Sequence, residues 1–175
     1  DLLLATDDEQ RRHTQIAGVS VSSYPMVDLR QMAVSGDLFV YHVLFEGKPL
    51  YDPNSWFDAL RKSFRLKANY SKEIRRAVDV GWLLVNRRDA VADQNLVGRR
   101  AAWVVRSVLI SRSAEAGRPI FSRQGLADMI PGSGVTALIA AKDDATLDGF
   151  APSALRRFLE KLGYLPALPE RATPD

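Results

Sequence analysis

The chain has 175 residues, 46% of them hydrophobic and 26% charged, a balance ordinary for a globular protein and enough for one core or two. It contains no Cys, which excludes disulfides and thiolate metal sites, and no apolar run approaches the roughly 18 residues that a transmembrane helix needs. The net charge of +3 hides an asymmetry: Arg61 to Arg112 carries 13 Lys/Arg and 4 Asp/Glu, a local +9 that leaves −6 for the rest. Such a basic middle either faces the phosphates of a nucleotide or nucleic acid or is a solvated helical surface. Aromatics are not interleaved with these charges, as a single-strand-binding platform would require. Nothing reads as a signal peptide, so a cytoplasmic protein without a membrane partner is expected. A start at Asp1, with no Met and inside a strand, leads us to expect a natural protein that begins earlier.

In chain order, the continuous apolar run Leu2–Ala5 reads as a buried strand, and Asp7–Arg12 as a polar loop or short helix. Ile16–Tyr24 alternates as a second strand does, with Pro25 closing it and Val27–Met32 suiting a short helix before Gly36. Leu38, Tyr41 and Phe45, with Phe39 and Val43, have helical spacing, and Gly47 stands where a helix C-terminal glycine would. Lys48–Tyr51 reads as a short strand closed by Asp52-Pro53. From Asn54 onward the pattern is helical. Asn54 or Ser55 can cap a helix through Phe64, and Ser71 starts a second. The third and longest runs from about Asp93 to Ala116, ended by Gly117, with apolar residues on two broad faces, as in the middle of a bundle. Ser122 caps a short helix, Pro131-Gly132-Ser133-Gly134 is an interhelical turn, helices follow near 135–141 and 153–162, and Pro166 and Pro169 mark a frayed tail.

Two stretches carry a family resemblance. Ser35–Tyr51, a helix leading to Glu46-Gly47-Lys48-Pro49-Leu50-Tyr51, resembles the segment after the catalytic strands in nucleotidyltransferases of the minimal and kanamycin-nucleotidyltransferase type. The opening Asp1-Leu2-Leu3-Leu4 looks like the tail of that family's Asp-x-Asp signature. The resemblance spans roughly the first 55 residues. It implies an α+β fold: a small nucleotidyltransferase-type α/β unit over 1–53, N-terminally incomplete, then an antiparallel helical bundle over 54–165 and a tail over 166–175. The later helices, with Ala114–Ser122 after an apolar helix, are similar to the nucleotide-binding bundles of higher eukaryotes and prokaryotes (HEPN-like). Ribonucleases of that class carry an Arg with a His about five residues on; only His13 and His42 exist here, neither in the bundle, so that activity is excluded.

The resemblance also assigns chemistry. Asp1 would be the second aspartate of the pair, a catalytic metal ligand for Mg²⁺, with a nucleoside triphosphate as substrate and a hydroxyl as acceptor. Two or three carboxylates serve such a reaction because nucleotidyl transfer normally uses two divalent ions. The third carboxylate is expected where Ser20 stands, and the Gly-Ser phosphate loop before Asp1, so the site is incomplete in these residues. Asp28 is either a substitute ligand or a helix-start residue.

Three further residues carry two readings each. Glu46 is a general base or a hydrogen-bonding group at a helix end. His42 is a hydrogen-bonded core or surface residue or a base. Arg106, interrupting the most apolar helix, makes either an internal ion pair with Asp79 or a phosphate contact for the nucleotide. Two functional classes follow: a metal-dependent nucleotidyltransferase, or a degenerate relative that binds or regulates, with nucleic acid as a partner through Arg61–Arg112. Homo-oligomerisation stays open.

Overall fold

The computed structural model describes residues 1–86, 94–142 and 151–166; the tail and the N-terminal end of the longest predicted helix, at Asp93, lie outside them. The chain is a mixed α+β protein with a small three-stranded sheet and, among the described residues, eight helices. No helix among those residues is long and apolar enough to cross a membrane. Contacts divide the chain into two compact units, Asp1–Ala68 and Asn69–Asp175.

In the first unit, β1 (Leu2–Thr6), β2 (Arg12–Ile16) and β3 (Val19–Pro25) form a sheet in the order β1-β3-β2. The polar segment expected as a loop or short helix reaches only to Arg11; Arg12 opens a strand that pairs antiparallel with β3. Ile16 lies opposite Val19, leaving Ala17 and Gly18 as a two-residue turn. Both have positive φ, 50° and 78°, the type I′ pattern whose twist suits a hairpin. The expected second strand is thus the far arm of this hairpin, and it runs parallel to β1 with Leu2 beside Val21 and Thr6 beside Pro25.

Helix α1 (Met26–Val34) ends at Gly36, which at φ 72° supplies the left-handed residue of a Schellman stop: its N–H donates to the Ala33 carbonyl and that of Asp37 to Met32. Asp37 then caps α2 (Leu38–Glu46), its carboxylate accepting from the N–H groups of Phe39 at 2.8 Å and Val40 at 3.4 Å. Gly47 does end α2, but at φ −74° rather than in the left-handed conformation. A Cβ there would fall against the Val43 carbonyl oxygen. The short strand expected over Lys48–Tyr51 does not form. Pro49 lacks an N–H to donate, and Leu50 and Tyr51 are more than 80% exposed, at 82% and 83%.

Helix α3 (Trp56–Ser63) takes its cap from Asp52, whose carboxylate accepts from the Trp56 and Phe57 N–H groups at 3.0 and 3.1 Å, and not from Asn54 or Ser55. Leu29, Ala33, Val40, Leu44, Phe57, Leu60 and Phe64 form the core, with Leu3, Ala5 and Tyr24 of the sheet packed on it. Phe57, Leu60 and Phe64 thus tie α3 to the sheet unit, so the division falls after Ala68 instead of after Pro53.

Among the described residues the second unit is all helical: α4 (Ser71–Asn86), α5 (Gln94–Glu115), α6 (Arg123–Asp128), α7 (Val135–Ala140) and α8 (Ala151–Lys161). Its core combines Ile74, Ala77, Val78 and Trp82 of α4 with Ala101, Val104, Val105, Val108 and Leu109 of α5 and Leu155, Phe158 and Leu159 of α8. Helix α5 is buried on more than one face, as its apolar pattern predicts, although Leu96 and Trp103 of the second predicted face remain exposed. Ser122 caps α6 by accepting from the Gly125 N–H at 3.1 Å, and the Pro131–Gly134 stretch is the turn into α7.

Candidate functional site

Strand register decides what surrounds Asp1. Leu2 pairs with Val21, so the register carried one position back sets Asp1, the residue before β1, level with Ser20 of β3. Side chains alternate along a strand, so Asp1, Leu3 and Ala5 share a face with Ser20, Ser22 and Tyr24. From β2 the same face receives Gln15, opposite Ser20, and His13, opposite Ser22. His13 Nδ1 lies 3.1 Å from Ser22 Oγ, which confirms the shared face. Leu3, Ala5 and Tyr24 pack on the helices, whereas Asp1, His13 and Gln15 are exposed. One end of the sheet therefore shows a polar row beyond the helix-covered part: Asp1, Ser20, Gln15, Ser22 and His13.

Only part of this row is visible from periodicity. Arg12–Ile16 has four polar residues in a row before Ile16 and all five are exposed, so no alternating apolar stripe announces β2. The Ala17-Gly18 pair before Val19 was the available signal for the hairpin, and with it for His13 and Gln15.

The other predicted residues lie elsewhere. Glu46 ends α2, where its Oε2 sits 3.0 Å from His42 Nδ1, an exposed (i, i+4) pair one helical turn apart. Asp28 lies in the first turn of α1 and accepts from Arg11 Nε at 2.8 Å, in an exposed ion pair that holds the Arg11 guanidinium above its ordinary value. The Arg11 guanidinium also lies 5.1 Å from the centre of the Tyr24 ring. Arg106 belongs to the second unit. It is half-buried, and its Nη1 donates to the Phe121 carbonyl at 3.3 Å, where an ion pair with Asp79 was the expectation. Asp79 is exposed on α4.

Among the described residues no group of three or more His, Asp or Glu side chains is arranged to hold a metal ion. The basic stretch is divided between the units. Arg61, Lys62, Arg65 and Lys67 belong to the first, and in the second Lys72, Arg75 and Arg76 line a shallow groove along α4 with Ser71, Asp79 and Val80. Comparison with protein-family models, curated sequences and solved structures gives no match for this chain. Function is therefore read from the residues themselves.

Proposed function

We propose that the first unit is of the nucleotidyltransferase type, moving a nucleoside monophosphate from a nucleoside triphosphate to a hydroxyl acceptor, with Asp1 as ligand of a divalent cation. The observation that carries this reading is the pairing of β1 with β3. It brings Asp1 beside Ser20, the position where the resemblance expects a further carboxylate. One carboxylate and one neutral hydroxyl suit a single Mg²⁺, which keeps waters and takes nucleotide phosphate oxygens as its remaining ligands. A second metal would need further carboxylate oxygens, which the resemblance expects ahead of Asp1. When bound, the ion neutralises charge on the triphosphate. The acceptor oxygen bonds to the α-phosphorus, the bond to pyrophosphate breaks, and the acceptor proton leaves to a base on the exposed row, where His13 stands.

A second reading, a non-catalytic relative that binds an anionic partner such as nucleic acid, draws support from the hydroxyl at Ser20 and from the Lys72, Arg75 and Arg76 groove. Calorimetric titration of ATP and GTP, with and without Mg²⁺, into the protein in its natural full length separates the two, with Asp1→Asn alongside. Magnesium-dependent binding that the variant loses is the outcome expected of the transferase. Absence of binding to both nucleotides favours the binding module. Its nucleic-acid affinity should then fall steeply with salt, with a shallower slope in a Lys72→Gln/Arg75→Gln/Arg76→Gln variant.

A further inference from the structure

Away from Asp1, the first unit has a cavity of about 550 Å³ between α1 and α3. The last strand pair is Thr6 with Pro25, and the next residue of each strand, Asp7 and Met26, lines this cavity. It therefore opens beyond the C-terminal ends of the two parallel strands, the place where open α/β sheets present ligand sites. Asp1 stands at the other end of β1, so the two sites are separate.

The floor is apolar and aromatic, formed by Met26, Leu60 and the half-buried Trp56. Three exposed polar residues line it as well: Arg30, Asp7 and Asn54. Among the described residues none of these three has a hydrogen bond or ion pair within the fold, and neither does the indole N–H of Trp56. Some charged groups of this unit are used within the fold: Arg11 is paired with Asp28, Arg61 with the Leu44 carbonyl, and Asp37 and Asp52 with helix N-termini. An apolar floor with a few unspent polar groups, in a volume suited to a small molecule, is the anatomy of a ligand site.

We infer that this cavity binds a small planar aromatic molecule carrying an anionic group, its ring on Trp56 and its anion on Arg30. Trp56 offers a ring face for stacking and a donor at the ring edge. Arg30 offers a planar fork that matches a carboxylate or phosphate. Asp7, at the rim, accepts from hydroxyl or amino groups on the ligand. Two sources share this chemistry, a nucleoside monophosphate and an aromatic carboxylic acid.

The test is titration of the full chain with AMP, indole-3-acetate, adenosine and inorganic phosphate, followed by calorimetry and by the NMR resonance of the Trp56 indole N–H. Saturable binding of AMP or indole-3-acetate that moves this resonance is expected, and whichever binds identifies the source. Arg30→Gln, an exposed change that leaves the core intact, should weaken it by about tenfold or more. Trp56→Phe should weaken it less, and Asp1→Asn not at all. Failure of both AMP and indole-3-acetate to bind overturns the inference. So does phosphate binding as tightly as AMP, or binding that Arg30→Gln leaves intact. Nucleotide binding that Asp1→Asn abolishes and Arg30→Gln does not would overturn this inference while supporting the transferase reading of the sheet.

Discussion

Asp52 holds the start of α3 with a single carboxylate that accepts two backbone N–H groups, those of Trp56 and Phe57. Those donors have no intrahelical partner, so losing the carboxylate leaves both to water or to nothing. Asp52→Ala is expected to cost about 1 kcal/mol, within the range for lost N-caps, measured as a shift in the urea midpoint at constant slope. Ser55→Ala, although Ser55 is the residue adjoining the helix, should not show a comparable loss, because its hydroxyl makes no capping bond. Equal losses in the two variants would contradict this assignment. Arg61 illustrates the same economy at a helix C-terminus. Its Nε donates to the Leu44 carbonyl of α2 at 2.8 Å and its Nη2 donates to the same oxygen. Its guanidinium lies 5.0 Å from the Phe57 ring centre and 5.6 Å from that of Phe45. A lysine can neither fork onto one carbonyl nor stack flat on a ring. Arg61→Lys should therefore destabilise by about 1 kcal/mol. Retention of wild-type thermal stability by that variant would show that the clamp contributes little.

Helix boundaries in this chain were largely legible from sequence, because the residues that stop helices act locally. Gly36, Gly117 and Gly163 each end a helix with the same pair of backbone bonds, and Ser122 caps α6 from the position where its residue type predicts it. The sheet was less legible. An exposed edge strand such as β2 buries no stripe, so its pattern lacks the contrast that reveals strands. A strand at Lys48–Tyr51 was expected from the glycine stop before it and Asp52-Pro53 after it, but no strand forms there. The candidate site inherits this difference: Asp1 and Ser20 follow from β1 and β3, while His13 and Gln15 depend on a hairpin carried by two residues. That turn makes its own prediction. Ala17 bears a Cβ at φ 50°, a conformation that costs an L-residue roughly 1–2 kcal/mol and that Asn tolerates better. Ala17→Asn is expected to stabilise the chain by about 0.5 kcal/mol in urea unfolding. A lower midpoint would argue against the I′ geometry. Gly81 poses the opposite case, in α4. A Cβ there would approach Leu159 Cδ1 at 3.0 Å and Val104 Cγ1 at 3.1 Å, so α5 and α8 lie close against the backbone at this point. For Gly81→Ala, the helix-propensity gain of about 1 kcal/mol offsets the crowding. Gly81→Val adds two further methyls without added propensity, and should lose about 1–3 kcal/mol in the same assay.

At the scale of the whole molecule, the two units differ in how well each can stand alone. The second has a continuous core drawn from all five of its helices, with Val104, Val105, Val108, Leu109, Leu138, Ile139, Leu155, Phe158 and Leu159 inaccessible to solvent. The first has a smaller core under one face of a three-stranded sheet. On the opposite face, to which alternation assigns Leu2, Leu4, Ile16, Val19 and Val21, only Val21 is buried, and the other four are 40%, 49%, 61% and 40% exposed. Stability rises with the share of surface that a unit buries, and a unit of some 70 residues with one open sheet face lies near the lower limit. Arg65 and Lys67 pass close over Gly36, with the Arg65 carbonyl oxygen 2.5 Å and the Lys67 N and Cγ each 3.0 Å from where a Cβ would be, and this fastens the chain as far as Lys67 into the first unit. Tyr70 is already in the second, its N–H donating to the Glu115 carboxylate at 2.6 Å. A fragment beginning at Asn69 therefore loses none of the described core of its own unit. Expressed alone, it is expected to show dispersed amide resonances, helical circular dichroism and a single cooperative thermal transition. A fragment of residues 1–68 should unfold at a lower temperature or remain only partly folded. A helical fragment without dispersion or cooperativity would mean that the apolar core listed above is insufficient, and that its stability depends on the first 68 residues.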